Sequence, residues 1–180
     1  MRIIGGQYSG IRINAPANLP VRPTTDIAKE ALFNILNNKI ELDGAVCLDL
    51  FAGTGNISLE LASRGAERVD AVDIHFKCIQ FIKEISKKLE INTIKGVKAD
   101  VLKFIKTNKQ QYDFIFVDPP FDMPILPQIA DLILEAGLLK EDGLLVVEHP
   151  SARKMNSSPF LKDTRKYGYS SFSFFDFTTI

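Results

Sequence analysis

Val46-Cys47-Leu48-Asp49-Leu50-Phe51-Ala52-Gly53-Thr54-Gly55-Asn56 is the stretch that decides the fold class of this 180-residue chain. A short apolar run ends near an acid, turns through two glycines one residue apart, and enters a helical pattern over 56–64. Such glycines let the backbone turn sharply and come close to a ligand. A dinucleotide fingerprint would add a third glycine at position 58, where this chain has Ser58. The stretch favours a nucleoside without a pyrophosphate. A lone Gly-x-Gly also serves packing, so the pattern around it carries the weight.

Outward from this strand and turn, apolar runs alternate with amphipathic segments. The run 68–72 precedes 76–89, 94–99 precedes 101–108, 114–117 precedes 125–136, and 144–148 closes the series. Apolar strands separated by helices predict a parallel sheet covered on both faces. The expected class is α/β, doubly wound and mostly parallel, with ligands bound beyond the carboxyl ends of the strands. After Pro150, Lys166-Tyr167-Gly168-Tyr169 and then Phe172, Phe174, Phe175 and Phe177 predict a C-terminal antiparallel hairpin at the sheet edge, its rings in the core. At the other end, residues 1–14 alternate around Gly5-Gly6 and Ser9-Gly10, which suggests a small hairpin. A proline-rich extended piece, 15–23, leads to a helix capped by Thr24 or Thr25, with apolar residues at 28, 31, 32, 35 and 36. The chain thus divides into an extension, 1–40, and a main domain, 41–180.

Composition narrows the class. Hydrophobic residues make up 46% and charged residues 24%, as in an ordinary globular protein, and 22 basic residues balance 22 acidic ones. No apolar run approaches the roughly 18 residues of a membrane span. The N-terminus lacks a secretory pattern, and Cys47 and Cys78 form no CxxC pair. A cytoplasmic protein away from membranes is expected. Neutral overall charge says nothing of a nucleic-acid partner. Locally, though, residues 1–25 and 151–180 each carry a net +3.

Three strand tips carry acids: Asp49, Asp73 and Asp100. Asp73 lies 18 residues past Gly55, where ribose hydroxyls are accepted. Asp100 is placed to accept from an adenine amino group. Each acid alone also reads as a helix N-cap. The next tip is Asp118-Pro119-Pro120-Phe121. Its two prolines stiffen the loop, leaving the Pro119 carbonyl beside the Asp118 carboxylate, with an aromatic ring two residues on. His75 and His149 read as surface or supporting residues, and Ser58 and Cys47 as packing.

Asp49-Leu50-Phe51-Ala52-Gly53-Thr54-Gly55 together with Asp118-Pro119-Pro120-Phe121 resembles the S-adenosylmethionine-dependent amino-methyltransferases, whose signature is (Asn/Asp)-Pro-Pro-aromatic. More narrowly, Arg2-Ile3-Ile4-Gly5-Gly6, Arg22-Pro23-Thr24-Thr25-Asp26 and Lys29-Glu30-Ala31-Leu32-Phe33-Asn34 resemble the 16S rRNA (guanine-966-N2)-methyltransferase family. The likeness runs from residue 1 to about 150. One departure is Gly10-Ile11-Arg12, where many relatives have Gly-Arg.

The resemblance implies a class I, Rossmann-like methyltransferase fold and transfer of a methyl group from S-adenosyl-L-methionine to the N2 amine of a guanine. It implies Asp118, Pro119, Pro120 and Phe121 as the catalytic loop. Asp49, Phe51, Ala52, Gly53, Thr54, Gly55, Asp73, Ile74, Asp100 and Val101 would hold the cofactor, and Arg2, Arg12, Arg22 and Lys29 the RNA. The implied partner is 16S rRNA in a small-subunit particle, met by a monomer, and no metal is expected. The rivals are an adenine-N6 methyltransferase on DNA or RNA, a nicotinamide oxidoreductase disfavoured by the missing glycine, and a non-catalytic nucleoside- or RNA-binding module.

Overall fold

The computed structural model describes residues 1–21 and 24–179. Eight elements form the wound core: β1 (Val46–Leu50), α2 (Asn56–Ser63), β2 (Arg68–Asp73), α3 (Phe76–Lys88), β3 (Ile94–Lys98), α4 (Val101–Thr107), β4 (Tyr112–Val117) and α5 (Ile129–Glu135). Ahead of them lies α1 (Asp26–Leu36), and after them β5 (Leu139–Pro150), β6 (Leu161–Tyr167) and β7 (Ser170–Phe175). The strands form one sheet in the order β3-β2-β1-β4-β5-β7-β6. β1 to β5 are parallel, and β7 runs antiparallel to both its neighbours. The doubly wound sheet with a C-terminal antiparallel hairpin is therefore present as read from the sequence.

The central apolar runs form strands because both of their faces are covered, whereas β3, at the sheet edge, leaves Lys95 and Lys98 exposed. On one face Leu48, Ile115 and Val147 pack with Val101 and Ile105 of α4 and Ile129 and Ile133 of α5. On the other, Cys47, Phe114 and Val146 pack with Leu32, Phe33 and Leu36 of α1 and Ile57 and Leu61 of α2. Fully burying a leucine or phenylalanine contributes roughly 1.5–3 kcal/mol, so α1 is fixed to the sheet rather than attached by its loop alone. Thr25 caps α1, its Oγ1 accepting from the Ala28 N–H at 3.2 Å.

Several boundaries differ from the sequence reading. β5 starts at Leu139, five residues earlier than its apolar run, and passes through exposed Glu141 and Asp142. The expected helix over 125–136 is a 3-10 turn, Leu126–Gln128, with Pro127 in its first positions, followed by α5. The first hairpin is present and small: Arg2 bridges Arg12, and the N–H groups of Ile3, Gly10 and Ile13 donate to the carbonyls of Ile11, Ile3 and Met1 at 2.8–2.9 Å. β7 lies inside the sheet, not at its edge, so Phe172 and Phe174 join one core and Phe175 the other. Gly168, with φ of +65°, supplies the left-handed turn of the β6–β7 hairpin. Among the described residues, no helix is long and apolar enough to cross a membrane.

Candidate active site

Beyond the carboxyl ends of β1, β2 and β4 lies a cavity of about 390 Å³. The turn after β1 makes its floor. Gly53 and Gly55 have φ of +56° and +78°, and Phe51 adopts the same left-handed region at +62°. That conformation costs a non-glycine residue on the order of 1–3 kcal/mol, and the surrounding packing holds it there. A Cβ on Gly55 would stand 2.8 Å from Ile82 Cγ1 of α3, so the turn has no room for a side chain. Gly55 thus shapes the loop without lining the cavity, whereas Phe51, Ala52, Gly53 and Thr54 line it.

Asp49 serves as the missing cap of α2. The N-cap position is Gly55, which has no side chain, and the Asp49 Oδ2 accepts instead from Ser58 N–H at 3.1 Å and Ser58 Oγ at 2.6 Å. Burial pushes the Asp49 carboxyl up to about 7, against the two Ser58 hydrogen bonds that lower it. The folded chain therefore binds this proton more tightly than the unfolded one, and stability falls as pH rises from near 4 toward 7. Asp49→Asn should flatten that fall, seen as melting temperature against pH between 4 and 8. An unchanged slope would mean that another group titrates. Burial likewise drives the Cys47 thiol up to about 12, so it is no nucleophile.

Asp73 ends β2 with both oxygens turned to backbone: Oδ2 accepts from Gly53 N–H and Oδ1 from His75 N–H, each at 2.9 Å. Ile74, 52% exposed, and His75 lie beside it on the cavity wall. Opposite stands the loop Asp118–Phe121, joined to β1 by the Asp118 N–H to the Leu50 carbonyl at 3.2 Å. Pro20, Val21 and Thr24 close a third side. Thr24 Oγ1 donates to Glu148 Oε2 at 3.0 Å, and Asn56 Nδ2 donates to the Thr24 carbonyl at 3.2 Å. Among the described lining residues the acids are Asp49, Asp73 and Asp118, with no lysine or arginine beside them.

Some expected site residues stand elsewhere. Asp100 is exposed and caps α4, its Oδ1 accepting from Lys103 N–H at 3.0 Å, and Val101 is buried in the core; neither lines the cavity. Lys29 is not a surface cation for RNA. It is 1% exposed, pairs with Glu60 at 3.3 Å, and donates to Asn56 Oδ1 and the Arg2 carbonyl. Desolvation lowers its pKa, with Glu60 opposing. Arg12 is exposed, while Arg2 is half-buried, its Nε without a hydrogen-bond partner among the described residues. Their hairpin runs along α2, where Ile4 and Gly5 N–H groups donate to Glu60. Arg22 lies outside the described residues.

Residues 1–176 match the family described as "Conserved hypothetical protein 95". The chain belongs to that family. Over 148 residues it is 34% identical to "Ribosomal RNA small subunit methyltransferase D" of Buchnera aphidicola subsp. Baizongia pistaciae, covering 82% of this chain and 75% of that protein. The solved structure "Putative methyltransferase yhhF from Escherichia coli" superposes with a TM-score of 0.84 at 28% identity, covering 97% of this chain and 96% of that one. A "SAM Dependent Methyltransferase from Agrobacterium tumefaciens", 23% identical with a TM-score of 0.62, shares the fold over 83% of this chain and 62% of its own. The fold is the class I, Rossmann-like one of S-adenosylmethionine-dependent methyltransferases. In this Conserved hypothetical protein 95 family member, the wall made by Pro20, Val21 and Thr24 was missed from sequence. Its proline-rich stretch reads as a linker, and contacts distant in sequence bring this wall to the cavity: the Thr24 bonds to Glu148 and Asn56, and Val21 standing close to Gly53.

Proposed function

We propose that the chain transfers a methyl group from S-adenosylmethionine to the N2 amine of a guanine in 16S rRNA, acting as a monomer on a small-subunit particle. The observation that carries this reading is one cavity flanked on one side by the glycine turn with Asp73 and on the other by Asp118–Phe121. The site suits the cofactor: the cavity of about 390 Å³ beside the glycine turn has room for a nucleoside, Ile74 and Phe51 offer apolar surface, and the carboxylates of Asp73 and Asp118 favour a cationic group over a pyrophosphate. The family relatives' names support ribosomal RNA as substrate.

S-adenosylmethionine bound there supplies an electrophilic methyl on a sulfonium. The chain's own work is to hold the amine. A guanine exocyclic nitrogen is a poor nucleophile because its lone pair is delocalised into the ring. Hydrogen bonds from its two N–H groups to the Asp118 carboxylate and the Pro119 carbonyl pull electron density back to nitrogen and aim the lone pair. Phe121 stacks on the base, which must first leave any helix. Orientation of this kind contributes roughly 7–11 kcal/mol. In this reading exposed Arg12, together with Arg22 and the N-terminal extension, meets phosphates.

Asp73→Ala should weaken S-adenosylmethionine binding by roughly 1.5–3 kcal/mol, the worth of hydrogen bonds to a charged group. Asp73→Asn should lose less, because its amide oxygen still accepts from one of the two backbone N–H groups. Calorimetry measures both. Unchanged affinity in the alanine variant would remove Asp73 from the cofactor site.

The deciding experiment is methyl transfer from labelled S-adenosylmethionine to undermethylated small subunits, naked 16S rRNA and duplex DNA, with the modified nucleoside identified. N2-methylguanosine in small subunits is the expected product. N6-methyladenine would replace this reading by the adenine one, because the Asp118–Phe121 tetrapeptide accepts either amine.

A further inference from the structure

The basic C-terminal stretch contains an arginine turned toward the protein's own loop. After β5 the chain makes a tight turn, closed by the Arg153 N–H to the Pro150 carbonyl at 3.0 Å. From it the Arg153 guanidinium reaches the segment that follows Pro120. Nη1 donates to the carbonyls of Phe121 at 3.1 Å and Met123 at 2.6 Å, and Nη2 donates to that of Pro124 at 3.1 Å. One planar, permanently charged fork thus gathers three carbonyls of a segment that has neither strand nor helix. Among the described residues Arg153 forms no ion pair, so its donors are committed to this loop.

The arginine is itself anchored. His149, near the end of β5, is buried, and its Nδ1 lies 2.8 Å from the Arg153 carbonyl and 3.0 Å from that of Pro150. Carbonyls only accept, so Nδ1 carries the hydrogen. In the neutral ring Nε2 then accepts from Ser173 Oγ of β7 at 2.7 Å, and Ser173 Oγ stands 2.9 Å from Thr164 Oγ1 of β6. A continuous set of hydrogen bonds therefore runs from the C-terminal hairpin through the imidazole to the Arg153 backbone, and through its guanidinium to Phe121.

We propose that Arg153 is a positioning residue: it holds the segment 121–124, and with it Phe121 and the Asp118-Pro119 acceptors, in the attitude that receives the target base, while His149 keeps Arg153 in place. The inference rests on the base-binding role given above to Asp118 and Phe121. Two measurements on the full chain separate its failure from the failure of that role. The first needs no substrate. Amide hydrogen exchange at Met123, whose N–H donates to the Pro120 carbonyl, and at Leu126, whose N–H donates to that of Met123, should quicken at least tenfold in Arg153→Ala. Exchange in β1 and β4 should not change, and Arg153→Lys, which keeps one charged donor, should fall between.

The second is methyl transfer to small subunits. Arg153→Ala should lower kcat at least tenfold with S-adenosylmethionine affinity and melting temperature near those of the parent, and the lysine variant should recover part of kcat. Unchanged exchange in the alanine variant overturns the clamp whatever the reaction is. Faster exchange with an unaltered kcat overturns the positioning role. A parent chain that methylates no RNA strikes at the proposed function, and exchange alone then decides the clamp. If the alanine variant does not fold, Arg153→Gln, with a shorter stem and one amide donor, carries both measurements.

Discussion

Asp118→Ala is expected to lower single-turnover methylation of small subunits by roughly a hundredfold or more, the penalty for losing an acceptor that sets geometry at a reacting atom. Asp118→Asn should keep measurable activity, down by about tenfold, because its amide oxygen still accepts one guanine N–H. Charge-assisted hydrogen bonds are roughly twice as strong as neutral ones, so some loss remains. Cofactor affinity should be near normal in both, since Asp73 and the glycine turn stand on the opposite wall. If the two variants are equally inactive while folded and able to bind cofactor, Asp118 takes a proton rather than only a hydrogen bond, and the acceptor mechanism fails.

The largest expected loss of stability belongs to Glu60→Ala. Glu60 is fully buried on α2 and gathers Lys29 at 3.3 Å, Arg64 at 3.0 Å and the N–H groups of Ile4 and Gly5 at 2.9 and 2.8 Å. Removing it leaves a buried ammonium without its counter-charge, which costs roughly 3–5 kcal/mol. In a chain of this length that is a fall of roughly 10 °C in melting temperature. Lys29→Met should cost less, because Glu60 keeps Arg64 and both backbone donors. Desolvation already holds the Lys29 pKa below 10.5, and loss of Glu60 lowers it further. The folded chain then binds that proton less tightly than the unfolded one, so stability of the alanine variant should rise with pH across the alkaline range below 10.5, more steeply than in the parent. A flat profile together with a loss under about 1 kcal/mol would make the pair a surface-like one.

The parallel sheet was legible because its central strands β1, β4 and β5 are buried on both faces over most of their length, which writes them as mainly apolar runs. The turn at Gly53–Gly55 and the stiff Asp118–Phe121 loop were legible because few residue types tolerate such backbones. What was not legible depends on contacts distant in sequence. Lys29 reads as a solvated helix charge until Glu60 and the first hairpin are folded over it. Asp100 shows a different limit: a strand tip in a wound sheet is also a helix N-terminus, so one acid satisfies either role and spacing alone does not separate them. β5 hides its first turn of strand because Lys140–Gly143 interrupt the apolar run before Leu144.

The position of β7 bears on the order in which the chain can be completed. β6 is made before β7 yet pairs only with it, so it has no place in the sheet until the residues after Tyr169 have emerged. Until then β5 presents a bare row of backbone donors and acceptors, the kind of edge on which nascent chains mispair. A chain stopped at Tyr169 would leave β6 without a partner as well as lacking β7, and the His149 imidazole would lose the Ser173 hydroxyl. Damage to the last strand would thus be felt first as loss of solubility, in the cell as in the test tube.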